Sequence, residues 1–163
     1  MKQNLRENFD EAVDAALDHL EINEKNIAFF LQVLKETNNI SFWLILPLDL
    51  AETHDERLVP ILIDLLQDPR TVNYRGNFLS ALHEYDYLPY ADLLVNFLCD
   101  SNWELRTKAA EMLLEIKDRL TEDTLRKLEK RVHSTIYDMD DRYTMMYDIA
   151  DEFHFQIEDE SSS

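Results

Sequence analysis

An apolar helical pattern that closes on an aspartate turn occurs twice in this chain, about thirty residues apart. Residues 57–70 read Arg-Leu-Val-Pro-Ile-Leu-Ile-Asp-Leu-Leu-Gln-Asp-Pro-Arg, followed by Arg75 and a second apolar helical pattern. Residues 91–102 return to the theme with Leu93, Leu94, Phe97, Leu98, Asp100 and Asn102, and Arg106 stands in the matching place. A helix pair repeated at that spacing cannot bury its apolar face alone and must stack on its neighbours. The chain has one glycine and four prolines. It therefore lacks the turn glycines that a strand-rich fold of 163 residues would use, and helices joined by short connections are expected.

Read at a period of 3.6 residues, the chain divides into nine helices. The first spans 5–20, with Phe9, Val13, Ala16, Leu17 and Leu20 in one stripe. Asn23 caps a second over 24–36, whose core face holds Ile27, Phe30, Leu31 and Leu34. The third, 41–52, is apolar nearly all round (Phe42, Trp43, Leu44, Ile45, Leu46, Leu48, Leu50) and should be buried between neighbours, with a kink or break at Pro47. Asp55 caps 56–66, and Asp68-Pro69 turns into 71–84. Pro89 fits the first turn of a helix ending near Cys99, and Asp100-Ser101-Asn102 turns into 103–116. Thr121 and Glu122 open the eighth helix, and the ninth covers about 138–153. Grouped in pairs, these begin near residues 24, 56, 88 and 121, a period of about 32. The expected architecture is all-α: one domain over 1–157, formed by four stacked pairs behind an N-terminal capping helix, with a disordered acidic and serine-rich tail at 158–163.

The central pairs resemble HEAT repeats, in which the first helix carries a proline and ends in an apolar run and an aspartate turn, and the second opens with an apolar residue and an arginine. Pro60, Leu62, Leu65, Leu66, Asp68, Pro69, Val72 and Arg75 follow that pattern with one extra residue between turn and arginine. Leu94, Phe97, Leu98, Asp100, Leu105, Arg106, Ala109, Ala110 and Leu113 follow it without the extra residue. The resemblance covers about residues 55–117. It implies a short right-handed α-solenoid, a structural role for Asp68, Arg75, Asp100 and Arg106, and a surface that docks other proteins.

Charge is the second constraint. Thirty-four acidic residues stand against sixteen basic ones, for a net charge of −18. Residues 1–104 carry 19 acids and 7 bases, 105–131 carry 8 bases and 6 acids, and 138–160 carry 9 acids and the single base Arg142. Such a field repels nucleic acid and anionic membranes and draws in cationic partners. The longest apolar run, 42–48, is far too short to span a bilayer. The start of the chain reads as an amphipathic helix rather than a leader, and one cysteine excludes an internal disulfide, so a cytoplasmic protein is expected.

The ninth helix gathers the clearest candidate surface. Opposite its apolar face lie Asp140, Asp141, Thr144, Tyr147, Asp148 and Asp151, with Tyr137 nearby. Like charges four apart cost a helix a few tenths of a kcal/mol, roughly, a cost that a cationic partner removes. Glu84, Asp86 and Tyr87 add a second acidic and aromatic group, in which Tyr87 and Tyr90 are expected at the surface and Tyr85 in the core.

Catalytic and metal chemistry find little support. His54-Asp55 is the doublet of helical metal phosphohydrolases, but Asp55 is better used as a cap. Residues 138–141 lack the glycine and the glutamate of a calcium loop, no Glu-x-x-His pair occurs, and Gly76 alone makes no phosphate loop. No catalytic residue, cofactor or metal is assigned. In size, charge and fold type the chain resembles the helical, acidic immunity proteins of bacterial polymorphic-toxin and contact-dependent inhibition systems. That resemblance implies a monomeric, non-enzymatic inhibitor of a basic, nuclease-type toxin domain. The other reading of the same features is a helical scaffold or adaptor that docks a protein or peptide.

Overall fold

The computed structural model describes residues 22–100, 102–136 and 143–155, with the side chains of 135, 136 and 143–145 left outside. The expected first helix, the segment 137–142 with Asp138, Asp140 and Asp141, and the tail lie outside the described residues. Within them the protein is all-helical, with no strand. Chain packing divides it into two compact units, Met1–Tyr85 and Asp86–Ser163.

The first unit contains α1 (Ile27–Glu36), α2 (Ile40–Ala51), α3 (Leu58–Gln67) and α4 (Arg75–Leu82), the last preceded by a 3₁₀ turn over Pro69–Tyr74. Each helix packs on the next and on the next but one: α1 meets α2 and α3, and α4 meets α3 and α2. The second unit repeats this order with α5 (Ala91–Phe97), α6 (Trp103–Glu115), α7 (Glu122–Ile136) and α8 (Tyr143–Glu152). There α5 meets α6 and α7, while α8 meets α7 and α6.

One local device recurs where the chain changes direction. A side-chain oxygen accepts the backbone N–H two residues on: Asn23 from Lys25 (3.0 Å), Asn39 from Ser41 (2.9 Å), Asp55 from Arg57 (3.0 Å), Asp68 from Arg70 (2.8 Å) and Asp100 from Asn102 (2.9 Å). These turns satisfy donors that no helix can pair, and they set the start of the next helix. Asn102 and Thr121 then cap α6 and α7 directly, through Leu105 N–H (3.2 Å) and Thr124 N–H (3.1 Å).

The arginines divide the structural work differently from the repeat pattern. Arg106 is buried and donates from Nη1 to the Asp100 carbonyl at 3.0 Å, tying α6 to the turn before it. Asp68 is gripped instead by the guanidinium of Arg70, with Arg75 a lesser contributor to its lowered pKa. Thr71, fully buried, donates to the Leu65 and Asp68 carbonyls, which is why Pro69–Tyr74 winds tightly before α4 begins. The expected single helix over 71–84 is thus a 3₁₀ turn followed by α4.

Each unit has an apolar interior. In the first, Phe30, Leu34, Phe42, Leu46, Leu62, Phe78 and Leu79 are closed to solvent; in the second, Leu94, Leu105, Ala109, Met112, Leu128, Val132 and Met146 are. Burial of a leucine or phenylalanine stabilises by about 1.5–3 kcal/mol. Pro47 does not break α2, which runs through it with the ring buried. A larger difference concerns the same helix. Expected to be covered all round, α2 leaves Ile40, Leu44, Ile45 and Leu48 between 42% and 52% exposed. Phe42, Trp43, Leu46, Pro47 and Leu50 face α1, α3 and α4, and the opposite side has no described neighbour.

Candidate interaction surface

In the second unit, α8 turns Met146, Ile149 and Ala150 inward, and successive residues 100° apart then place Asp148 and Asp151 on the solvent side. Both are exposed, and neither has an ion-pair partner among the described residues. Tyr147 is half-buried beside them. Thr144 lies on the same helix with its side chain outside the described residues, and Asp140, Asp141 and Tyr137 fall outside them altogether. The free carboxylates of α8 are therefore Asp148 and Asp151.

The end of α8 is handled differently. Glu152 accepts an ion pair from Lys117 at 2.8 Å, and Arg119 reaches Asp86 at 3.5 Å. Both cations belong to one short turn, Lys117–Arg119, which follows α6. That turn thus collects Asp86 and the C-terminal end of α8 at one edge of the unit. Its cations offset those acids while Asp118, between them, stays exposed. Lys117 lowers the Glu152 pKa below the ordinary carboxylate value, and Glu152 raises that of Lys117 in return.

Tyr87, expected at the surface, is buried. Its hydroxyl donates to Glu115 Oε2 at 2.8 Å and also approaches the Met112 carbonyl at 3.4 Å. The ring fills space against α6 while the polar tip is satisfied, so it carries no contact area for a partner. Burial, followed by the Glu115 carboxylate, pushes the phenol well above its ordinary value. Tyr90 is half-buried, and Glu84, in the first unit, is exposed. Tyr85 is in the core as expected, its hydroxyl aimed at the Asp55 carbonyl at 3.4 Å.

One feature escaped the reading of the sequence. Trp103, the first residue of α6, is 69% exposed. It precedes the buried series Leu105, Ala109, Met112 and Leu113 by two residues, so it falls well off that face of a 3.6-residue helix. That offset was the signal. Glu104, Glu111 and Glu115 are also exposed along α6, the helix on which α8 packs. Basic charge is gathered elsewhere, on α7. There Lys127 pairs with Asp92 (2.5 Å) and Asp123 (2.8 Å), and Arg131 reaches Asn96 (3.3 Å), while Arg126 and Lys130 stay exposed.

In the first unit, a crevice of about 900 Å³ opens between the start of α1 and the end of α2. It is lined by Glu24, Asp49, Glu52, His54 and Asp55, among others. Partial burial, and then Glu52, raises the Asp49 pKa. The Asp55 carboxylate is taken up by the Arg57 guanidinium and backbone N–H, so it forms a turn ahead of α3 instead of the expected cap; α3 begins at Leu58 with no side-chain cap. Among the described residues no group of three or more His, Cys, Asp or Glu side chains is placed to hold a metal. None of their helices is long and apolar enough to cross a membrane. Compared with known protein families, with curated proteins and with solved structures, the chain matches none.

Proposed function

We propose that this protein is a non-enzymatic, cytoplasmic binding module that grips a basic protein through the acidic outer side of α8, and that its partner is a nuclease-type toxin domain which it neutralises. The observation that carries this reading is the exposure of Asp148 and Asp151 without counter-charge on a chain of net charge −18. Unlike Asp86 and Glu152, these carboxylates need lose no internal partner to meet an external cation. Long-range attraction accelerates the encounter, and carboxylates then stand where substrate phosphates would bind the toxin. Trp103 and the glutamates of α6 extend the acidic surface and supply a large aromatic anchor, a residue type enriched at binding hot spots.

The test is neutralisation in cells together with recovery from native lysate. A basic toxic domain encoded beside this chain should kill when expressed alone, be rescued by co-expression, and co-elute with the protein at low salt but less at high salt. Killing that continues despite soluble co-expression, with no co-elution at either salt concentration, would contradict the proposal.

A further inference from the structure

The uncovered side of α2 is apolar for about two turns and acidic at its end. Among the described residues seven large apolar side chains are exposed, and four of them, Ile40, Leu44, Ile45 and Leu48, share this side. Leu44, Leu48 and Glu52 follow one another four residues apart, and Asp49 stands four after Ile45, so the two carboxylates continue the same face. Both are exposed, and neither has an ion-pair partner among the described residues. With Glu24 they line the crevice of about 900 Å³ at this end of the helix. The last turn of α2 carries no basic residue, so the partial negative charge of a helix C-terminus adds to theirs. Arg57, the cation that lines the crevice, is already held by Asp55.

An apolar stripe of this length fits an amphipathic helix, which meets such a face through residues three and four apart. The acidic end selects among such helices. A second copy of this chain brings a net charge of −18 and is repelled, as is an anionic membrane surface. A helix that carries lysine or arginine one turn beyond its apolar residues meets Asp49 and Glu52, which give up no internal ion pair to bind it. We propose that the outer side of α2 docks a cationic amphipathic helix of a partner protein, its apolar residues on Ile40, Leu44, Ile45 and Leu48 and its terminal cations on Asp49 and Glu52. This surface belongs to the first compact unit and requires nothing of α8.

Fluorescence anisotropy of the intact chain with labelled peptides tests the proposal. The probe is a helical peptide of about sixteen residues, with leucines at helical spacing and lysines at one end. One control carries glutamate in place of each lysine, and the other scrambles the probe at unchanged charge. The probe should bind about tenfold or more tighter than either control. Ile45→Gln should weaken its binding about tenfold. Asp49→Asn with Glu52→Gln, which leaves the apolar stripe intact, should weaken it severalfold and flatten its salt dependence. Bound probe should lower hydroxyl-radical labelling of Leu44, Ile45 and Leu48 severalfold. A probe that binds no better than either control, or binding that either set of substitutions leaves unaltered, overturns the proposal. Protection of Leu44, Ile45 and Leu48 from labelling in the chain without peptide assigns the stripe to the chain's own packing and overturns it as well. So does a dimer in solution that Ile45→Gln converts to monomer.

Discussion

Removal of one hydroxyl, in Tyr85→Phe, should reverse its effect on stability between neutral and alkaline pH. Tyr85 is 8% exposed, and burial, reinforced by Asp55, Glu56 and Glu84, raises its pKa from 10.0 to about 12. The folded protein therefore holds the proton that the unfolded chain releases. The stabilisation this represents is complete below pH 10 and is lost as pH rises toward 12. At pH 11 the unfolded phenol is about nine-tenths ionised and the folded one about one-tenth, which corresponds to a loss of about 1.4 kcal/mol. At pH 8 the hydroxyl contributes only its long 3.4 Å bond to the Asp55 carbonyl, worth about 0.5 kcal/mol. Tyr85→Phe should thus be less stable than the unaltered protein by about 0.5 kcal/mol at pH 8 and more stable by about 1 kcal/mol at pH 11.

Urea unfolding followed by tryptophan fluorescence suits the measurement. Trp43 is buried in the same unit, whereas Trp103 is exposed already and responds little to unfolding. A stability difference between the two proteins that stays constant from pH 8 to pH 11 would refute the reasoning.

Two further substitutions probe other parts of the architecture. Arg106→Ala should cost about 2–3 kcal/mol by urea denaturation, through loss of a buried stem and of the bond to the Asp100 carbonyl. Arg106→Met should cost about 1 kcal/mol or less, because it keeps the stem and also removes a buried Nε–H that has no partner. Asp49→Asn should stabilise the protein at pH 7. A raised carboxylate pKa means stabilisation that is present below the unfolded value of 3.8 and lost as pH rises through the folded one. With solvent screening allowed for, the gain is no more than about 0.5 kcal/mol, and it should vanish near pH 3; a variant less stable at pH 7 would contradict this.

The helices and most of their connections were legible in the sequence for a local reason. Asp55, Asp68 and Asp100 act on backbone groups two residues away, and Leu62, Leu65 and Leu66 repeat at helical spacing, so both signals sit within a few positions. What was illegible depended on distant partners. The run Phe42 to Leu48 is apolar in every direction, and Asp49, four residues after Ile45, is the one polar residue that marks Leu44, Ile45 and Leu48 as the uncovered side. Tyr87 carries the composition of a surface aromatic, yet Glu115, 28 positions later, satisfies its hydroxyl and lets the ring be buried. Lys117 and Arg119 reach Glu152 and Asp86 across similar separations. They divide an acidic series that looks uniform in the sequence into compensated and free carboxylates. Trp103 is the converse case, since its place at the start of α6 reads as core only until its angular offset from Leu105 is counted.

The central functional claim is that uncompensated acids on α8 steer a cationic protein onto this surface. Stopped-flow association with the proposed toxin domain, measured across ionic strength, tests it most directly. Replacement of Asp148 and Asp151 by asparagine, together with Asp140 and Asp141 from the acidic segment ahead of α8, should slow association about tenfold or more at low salt and flatten its salt dependence, with a smaller effect on dissociation. An association rate and salt dependence unchanged in that variant would contradict the claim.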